Sequence, residues 1–129
     1  MTRVYVDAGA AAIEGAGDVR LDPVAVRSLR FLREAGNEVV VVADDGAEVP
    51  AELRAVADAV IAGVAAASGE RGWYLTTDVE RCMGGSARLR TVLIGARPPA
   101  GSIHRCDGVS RDVRAAALEI LAAEAMTAA

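Results

Sequence analysis

Short runs of apolar residues recur along the chain, and each run ends close to an aspartate, a glycine or a proline. Their composition predicts strands at residues 3–6, 39–42, 60–61, 73–77 and 91–94, with residues 103–106 as a last edge strand. The four consecutive valines at residues 39–42 are typical of a strand that is covered on both faces of its sheet.

Helical signals separate these runs. Asp22 and Pro23 indicate a helix start, with a carboxylate at the N-cap and proline at the first helical position, and Gly36 indicates its end. Pro50 opens a second, short helix, and we expect Ser110 to cap a final helix. The predicted inward-facing residues are Val26, Leu29 and Leu32, then Leu53 and Val56, then Val113, Ala117, Ile120 and Leu121.

The alternation of short apolar strands with helices is typical of a parallel sheet whose strands are joined by right-handed crossovers. The predicted fold class is therefore α/β, a three-layer α/β/α sandwich with a mostly parallel, Rossmann-like sheet. At 129 residues the chain has room for one domain, spanning residues 1–129. In such sheets, ligands bind beyond the carboxyl ends of the strands.

Composition and charge argue against several classes of function. No apolar run approaches the ~20 residues that a membrane helix needs, and no basic segment followed by an apolar one indicates a signal peptide. A net charge of −4 argues against a nucleic-acid partner. Cys82 and Cys106 lie outside any CxxC motif, and His104 alone does not complete a zinc site. We therefore expect a cytoplasmic protein with reduced thiols.

Acidic residues follow three of the predicted strands. Asp7 ends the first, Asp44 and Asp45 follow the second, and Asp78 follows the fourth. Because parallel strands end at one edge of a sheet, these carboxylates converge there, as the oxygen ligands of Mg²⁺ do. Aspartate is also common at strand ends simply because its side chain satisfies free backbone groups. Asp7 and Asp78, on strands expected to be adjacent, are the strongest functional candidates.

Together these segments resemble the haloacid dehalogenase (HAD) superfamily of phosphohydrolases, especially its small members without a large cap domain. Asp7, at the end of the first strand, matches the family's nucleophilic aspartate. The resemblance implies that Asp7 is catalytic, that Asp7 and Asp78 bind Mg²⁺, and that the substrate is a small phosphorylated molecule. The other matching segments are residues 21–42, 74–78, 88–95 and 106–121, in the order that the family has them.

Comparison with the family's motifs also shows which of their functional residues this chain lacks. The first motif, DxDGT, is replaced by Asp-Ala-Gly-Ala-Ala at residues 7–11, so that Gly9 occupies the position of the acid/base aspartate. Ala43 replaces the phosphate-binding Thr or Ser, and the chain contains no lysine, which leaves Arg71 as the nearest substitute for the phosphate-binding lysine. Cys82 replaces the second aspartate of GDxxxD. We therefore expect a degenerate phosphohydrolase with weak or no phosphatase activity and weak Mg²⁺ binding.

A metal-dependent nuclease is one alternative. The opening residues 3–10 also resemble PIN/NYN-type nuclease domains, which begin with a strand, an aspartate and small residues. Such an enzyme would use Asp7, Asp44 or Asp45, and Asp78 for metal-assisted hydrolysis. The negative net charge and the shortage of aromatic residues for base stacking count against it. A phosphate-receiver domain fits less well, because it requires a lysine.

The other alternative is a non-catalytic binding or oligomerisation module. Capless members of the HAD superfamily often oligomerise, so the resemblance implies a homo-oligomer. Val24, Phe31, Trp73 and Tyr74 are the large residues best suited to an interface, where Trp and Tyr are enriched. Trp73 and Tyr74 equally fit the flank of a core strand.

Overall fold

The computed structural model describes residues 2–14, 19–43, 48–63, 71–82, 89–95 and 106–128. Strands in this part of the chain are β1 (Arg3–Asp7), β2 (Ala12–Glu14), β3 (Val19–Leu21), β4 (Glu38–Val42), β5 (Ala59–Ile61), β6 (Gly72–Thr76), β7 (Leu89–Ile94) and β8 (Gly108–Ser110). Six of them form a parallel sheet in the order β5-β4-β1-β6-β7-β8, while β2 and β3 pair as a separate antiparallel hairpin. The predicted α/β class with a parallel, Rossmann-like sheet is confirmed.

The helices of the described residues are α1 (Pro23–Glu34), α2 (Ala51–Val56) and α3 (Val113–Ala128). Helix α1 begins as predicted, because the Asp22 carboxylate accepts a hydrogen bond from the Val24 backbone N–H at 2.9 Å. Gly36 follows its end with φ at +98°, in the left-handed region that favours glycine.

The start of α3 differs from the prediction that Ser110 caps it. Ser110 is the last residue of β8, where it pairs with Ile94 of β7. The cap is Asp112, whose Oδ1 accepts a hydrogen bond from the Ala115 backbone N–H at 2.8 Å. Serine suits both a helix cap and a strand end, so the sequence alone does not distinguish the two. The pairing of β8 with β7 makes Ser110 a strand residue.

Both faces of the sheet are buried. On one face, alternate strand residues such as Val4, Val41 and Leu75 pack with all three helices into the larger apolar cluster. The smaller cluster lies on the opposite face and consists of Tyr5, Val40, Val42, Tyr74 and Leu89, each no more than 5% exposed. The burial of both faces is what the four consecutive valines of β4 predict. Since side chains alternate along a strand, Asp7 shares the second face with Tyr5.

Two other features were not predicted. The β2–β3 hairpin lies in a stretch of small and polar residues where no strand is expected from the sequence. The last strand of the described residues is Gly108–Ser110; Cys106, the final residue of the predicted edge strand, is outside any strand, and residues 103–105 lie outside the described residues. All three strands, β2, β3 and β8, have three residues, too few for a period of two to be recognised.

Cys82 and Cys106 form a disulfide, with Cα atoms 4.8 Å apart. The expectation of reduced thiols is therefore wrong, and it no longer supports a cytoplasmic location. The bond links the residue after a short 3-10 turn (Val79–Arg81) to the segment that enters β8. No α-helix in the described ranges is long and apolar enough to cross a membrane.

Candidate functional site

Asp7 lies at the carboxyl end of β1, between β4 and β6. The parallel register sets Asp7 beside Val42 of β4 and sets Tyr5 beside Tyr74 of β6. Because side chains alternate along both strands, Tyr74 and Thr76 emerge on the same face of the sheet as Asp7. The order of the strands thus surrounds one carboxylate with two hydroxyl groups.

Three side chains contact the carboxylate of Asp7, a residue that is only 6% exposed. The Tyr74 hydroxyl donates a hydrogen bond to Oδ1 at 2.6 Å, and the Thr76 hydroxyl donates to Oδ2 at 2.6 Å. The Arg81 guanidinium forms an ion pair with the same Oδ2, with Nη1 at 3.3 Å. Both oxygens of the predicted nucleophile are therefore engaged by groups of the protein itself.

The turn that follows β6 brings Asp78 and Arg81 to the same place. The Thr76 hydroxyl oxygen accepts a hydrogen bond from the Asp78 backbone N–H at 3.1 Å, and Asp78 Oδ1 accepts one from the Glu80 backbone N–H at 3.0 Å. This caps the 3-10 turn Val79–Arg81 and leaves Asp78 Oδ2 at 3.7 Å from Arg81 Nε. Arg81 therefore contacts both aspartates that the sequence singles out.

Tyr74 is a buried donor with an altered acidity. Burial, and then its hydrogen bond to the negatively charged Asp7, raise the pKa of the Tyr74 phenol above its ordinary value. The phenol is therefore a firmly neutral donor at any physiological pH.

Asp7, Asp78 and Arg81 open onto a cleft of about 320 Å³ at the carboxyl edge of the sheet. Gly9 is exposed there, and a Cβ atom built on it would meet no atom within 4 Å. Ala43 forms part of the same wall and is 7% exposed. The full lining is Asp7, Ala8, Gly9, Val42, Ala43, Thr77, Asp78 and Arg81.

The structure thus brings Asp7 and Asp78 together at one cleft. Gly9 and Ala43, the positions at which the resemblance implies that a functional side chain has been lost, line the same cleft. Asp44 and Asp45, the additional acids of the nuclease alternative, lie outside the described residues. Arg71 is described and exposed, but it is not part of the cleft lining.

The residues proposed for an interface divide into two groups. Phe31 and Val24 are exposed on α1, at 57% and 42% respectively. Trp73 and Tyr74 are only 8% and 1% exposed, so the interpretation that they belong to a core strand is confirmed. A homo-oligomer stays a prediction.

Three residues of the site were missed by sequence reasoning: Tyr74 and Thr76 as partners of Asp7, and Arg81 as partner of both aspartates. The period of two along β6 places Tyr74 and Thr76 on one face, so their sharing a face could have been foreseen. Arg81, three residues after Asp78, gives no comparable signal, because an arginine in a turn is usually solvated.

The described residues do not fit a Mg²⁺ ion in this arrangement. Mg²⁺ needs near-octahedral oxygen ligation, whereas both oxygens of Asp7 accept hydrogen bonds and a guanidinium contacts both carboxylates. Across the described ranges, no three His, Cys, Asp or Glu side chains form a group that could hold a metal ion.

Two solved structures share this architecture. The D,D-heptose 1,7-bisphosphate phosphatase from Burkholderia thailandensis matches with a TM-score of 0.66 at 18% identity, covering 94% of this chain and 99% of its own. The D,D-heptose 1,7-bisphosphate phosphatase from B. bronchiseptica, crystallised with magnesium and phosphate, matches with a TM-score of 0.63 at 14% identity, covering 95% and 99%.

Both of these structures are HAD-family proteins, so the HAD-like fold that the sequence resemblance implied is confirmed. At identities this low, the likeness establishes the fold alone. No family model matches the chain, and no curated protein matches it.

Proposed function

We propose that this chain is a degenerate HAD-like phosphohydrolase domain with weak or no phosphatase turnover. The observation that carries the proposal is the environment of Asp7, the residue at the nucleophile position. Asp7 is 6% exposed, and each of its carboxylate oxygens accepts a hydrogen bond, with an ion pair to Arg81 on Oδ2 as well. A small phosphorylated molecule is the ligand class in keeping with the two phosphatases of the same fold.

Nucleophilic attack by Asp7 would need an oxygen lone pair aimed at phosphorus. An ionised carboxylate offers about four lone-pair positions, and the hydroxyls of Tyr74 and Thr76 and the guanidinium of Arg81 address three of them. Each of these donors withdraws electron density from the oxygen it contacts. The remaining position is on Oδ1, which already accepts the 2.6 Å hydrogen bond from Tyr74, so the lone pair there is a weaker nucleophile than that of an unengaged carboxylate.

The leaving group would also lack an acid. Gly9, where the resemblance places the acid/base aspartate, contributes no side chain to the cleft, and Ala43 contributes only a methyl group. Positioned general acid–base catalysis is worth ~10²–10⁴ in rate, and one lost electrostatic donor costs ~10²–10³. Since losses within one catalytic unit are not additive, we expect low residual turnover rather than the product of these factors.

The test is Mg²⁺-dependent phosphate release from p-nitrophenyl phosphate and from D,D-heptose 1,7-bisphosphate. We expect the wild type and Asp7→Asn to release phosphate at the same low rate, while the Burkholderia thailandensis phosphatase, assayed in parallel, shows that the conditions support turnover. Gly9→Asp restores the missing carboxylate at a position with open space for it.

Because Asp7 stays engaged in that variant, Gly9→Asp should raise the rate by no more than ~10²-fold, the lower bound for an acid–base group. Efficient turnover by the wild type that disappears in Asp7→Asn would contradict the proposal, since it would show a working nucleophile.

A further inference from the structure

Arg81 lies between the two carboxylates that the sequence marks as metal ligands. Its Nη1 is 3.3 Å from Asp7 Oδ2, and its Nε is 3.7 Å from Asp78 Oδ2. The Arg81 side chain is 37% exposed, compared with 9% for Asp7 and 51% for Asp78. One guanidinium thus reaches from the buried carboxylate to the open one across the mouth of the cleft.

The backbone around Arg81 keeps the guanidinium at this place. The Arg81 backbone N–H donates to the Asp78 carbonyl oxygen at 3.0 Å and closes the 3-10 turn. The next residue, Cys82, is 6% exposed and bonded to Cys106. The turn is therefore fixed at its start by the Asp78 cap and immediately after its end by the disulfide.

A divalent cation bound by Asp7 and Asp78 would compete with this guanidinium. Two like charges a few ångströms apart at a partly buried site repel strongly. The cation would also have to draw Asp7 away from the hydroxyls of Tyr74 and Thr76. A metal site at these two aspartates is thus occupied in advance by a side chain of the protein.

We propose that Arg81 is the resident cation of this site, neutralising Asp7 and Asp78 in place of a divalent metal, and that its charge sets the low affinity of the site for metal ions. The inference concerns the same cleft as the proposed function and rests on it only for the identity of the site. Metal binding can be measured whether or not the protein turns over any substrate, so the two can fail separately.

The experiment is a titration with Mn²⁺, used as the probe ion and followed by electron paramagnetic resonance of the free ion. For the wild type we expect no saturable binding up to millimolar Mn²⁺. Arg81→Gln removes the charge but keeps hydrogen-bonding groups, and it should raise the affinity at least about tenfold. The double variant Asp7→Asn/Arg81→Gln should lose that gain, because the gain depends on the carboxylate of Asp7.

Two further variants separate charge from general disruption. Arg81→Lys keeps the positive charge and should bind Mn²⁺ as poorly as the wild type. Arg33→Gln removes a guanidinium from an ion pair elsewhere, 3.1 Å from Asp58, and should also leave Mn²⁺ binding unchanged. Far-UV circular dichroism checks that each variant is folded.

A second readout is the thermal midpoint, which rises with Mn²⁺ only in a protein that binds the ion in its folded state. We expect that rise for Arg81→Gln and not for the wild type. Saturable Mn²⁺ binding by the wild type, no gain in Arg81→Gln, or an equal gain in Arg33→Gln would each overturn the proposal.

Discussion

Strand β1 begins with Arg3 and ends with Asp7, and each of these residues belongs to an arginine–carboxylate pair. At the amino end, Arg3 Nε is 3.0 Å from Glu38 Oε2, and both side chains are 31% exposed. At the carboxyl end, Arg81 Nη1 is 3.3 Å from Asp7 Oδ2, and the Asp7 side chain is 9% exposed. The two pairs have similar lengths and similar chemistry but lie in different surroundings.

The surroundings decide what each pair does. Water solvates both partners of the Arg3–Glu38 pair, so it contributes about 0–1 kcal/mol to stability. Asp7 is buried and needs its hydrogen bonds, because a buried charge without partners is strongly unfavourable. The carboxyl edge is also where parallel α/β sheets bind ligands. Here the polar groups of that edge contact one another: the hydroxyls of Tyr74 and Thr76 and the guanidinium of Arg81 are all directed at Asp7.

We expect the largest effect on the free energy of unfolding from removal of the Cys82–Cys106 disulfide, which lies next to Arg81. The disulfide links cysteines 24 positions apart and therefore constrains the unfolded chain, which is worth about 3 kcal/mol in the loop-entropy model. We expect the double variant Cys82→Ser/Cys106→Ser to lose about that much free energy of unfolding in urea titrations. A reducing agent should destabilise the wild type by the same amount and leave the double variant unchanged. A loss below about 1 kcal/mol would contradict this prediction, since it would show that the bond adds little to the stability of the folded protein.

The comparison between the two ends of β1 is tested by removing each carboxylate. Asp7→Ala leaves the buried hydroxyls of Tyr74 and Thr76 without their acceptor, and we expect a loss of about 2 kcal/mol. Glu38→Ala, the matched control at the amino end, should cost less than about 1 kcal/mol. Urea unfolding of both variants measures the difference. An Asp7→Ala protein more stable than the wild type would indicate a strained, activity-selected carboxylate and would reverse our interpretation of the site.

Much of the fold follows from local signals in the sequence. The apolar runs predict the central strands because a strand buried on both faces must be apolar at nearly every position. The Asp22–Pro23 start and the Gly36 end of α1 depend on backbone geometry within a few residues, so the sequence is sufficient to place them. The same holds for Asp7, since a single aspartate directly after a buried strand has few alternative positions.

The features that were missed depend on residues far apart in the chain. The disulfide joins Cys82 to Cys106, and no local pattern indicates that their backbones meet. The engagement of Asp7 by Tyr74 requires β6 to pair with β1 across 67 positions. The contacts of Arg81 with Asp7 and Asp78 depend on the orientation of a short capped turn. The sequence therefore places Asp7 and Asp78 at one edge of the sheet, and the tertiary structure determines which side chains contact them.

The smallest expected effect distinguishes the Tyr74 phenol from that of Tyr5, its register partner on β1, whose hydroxyl contacts Arg3 at the amino end of that strand. Tyr74→Phe removes the hydrogen bond to Asp7 and should cost about 1 kcal/mol at pH 8. Tyr5→Phe removes a hydrogen bond from the half-buried Arg3, which water can replace, and should cost less.

The difference between wild type and Tyr74→Phe should also depend on pH. Because burial, followed by the hydrogen bond to Asp7, raises the pKa of Tyr74 in the folded state, the unfolded chain ionises first, near the ordinary tyrosine pKa of about 10. The stability that the neutral phenol contributes is complete below that pH and is lost progressively as the pH rises toward the folded-state pKa. Tyr74→Phe lacks this loss, so its deficit in free energy of unfolding should shrink between about pH 10 and pH 11. A deficit that is constant or grows over this range would show that burial and the hydrogen bond to Asp7 do not keep the Tyr74 phenol neutral in the folded protein.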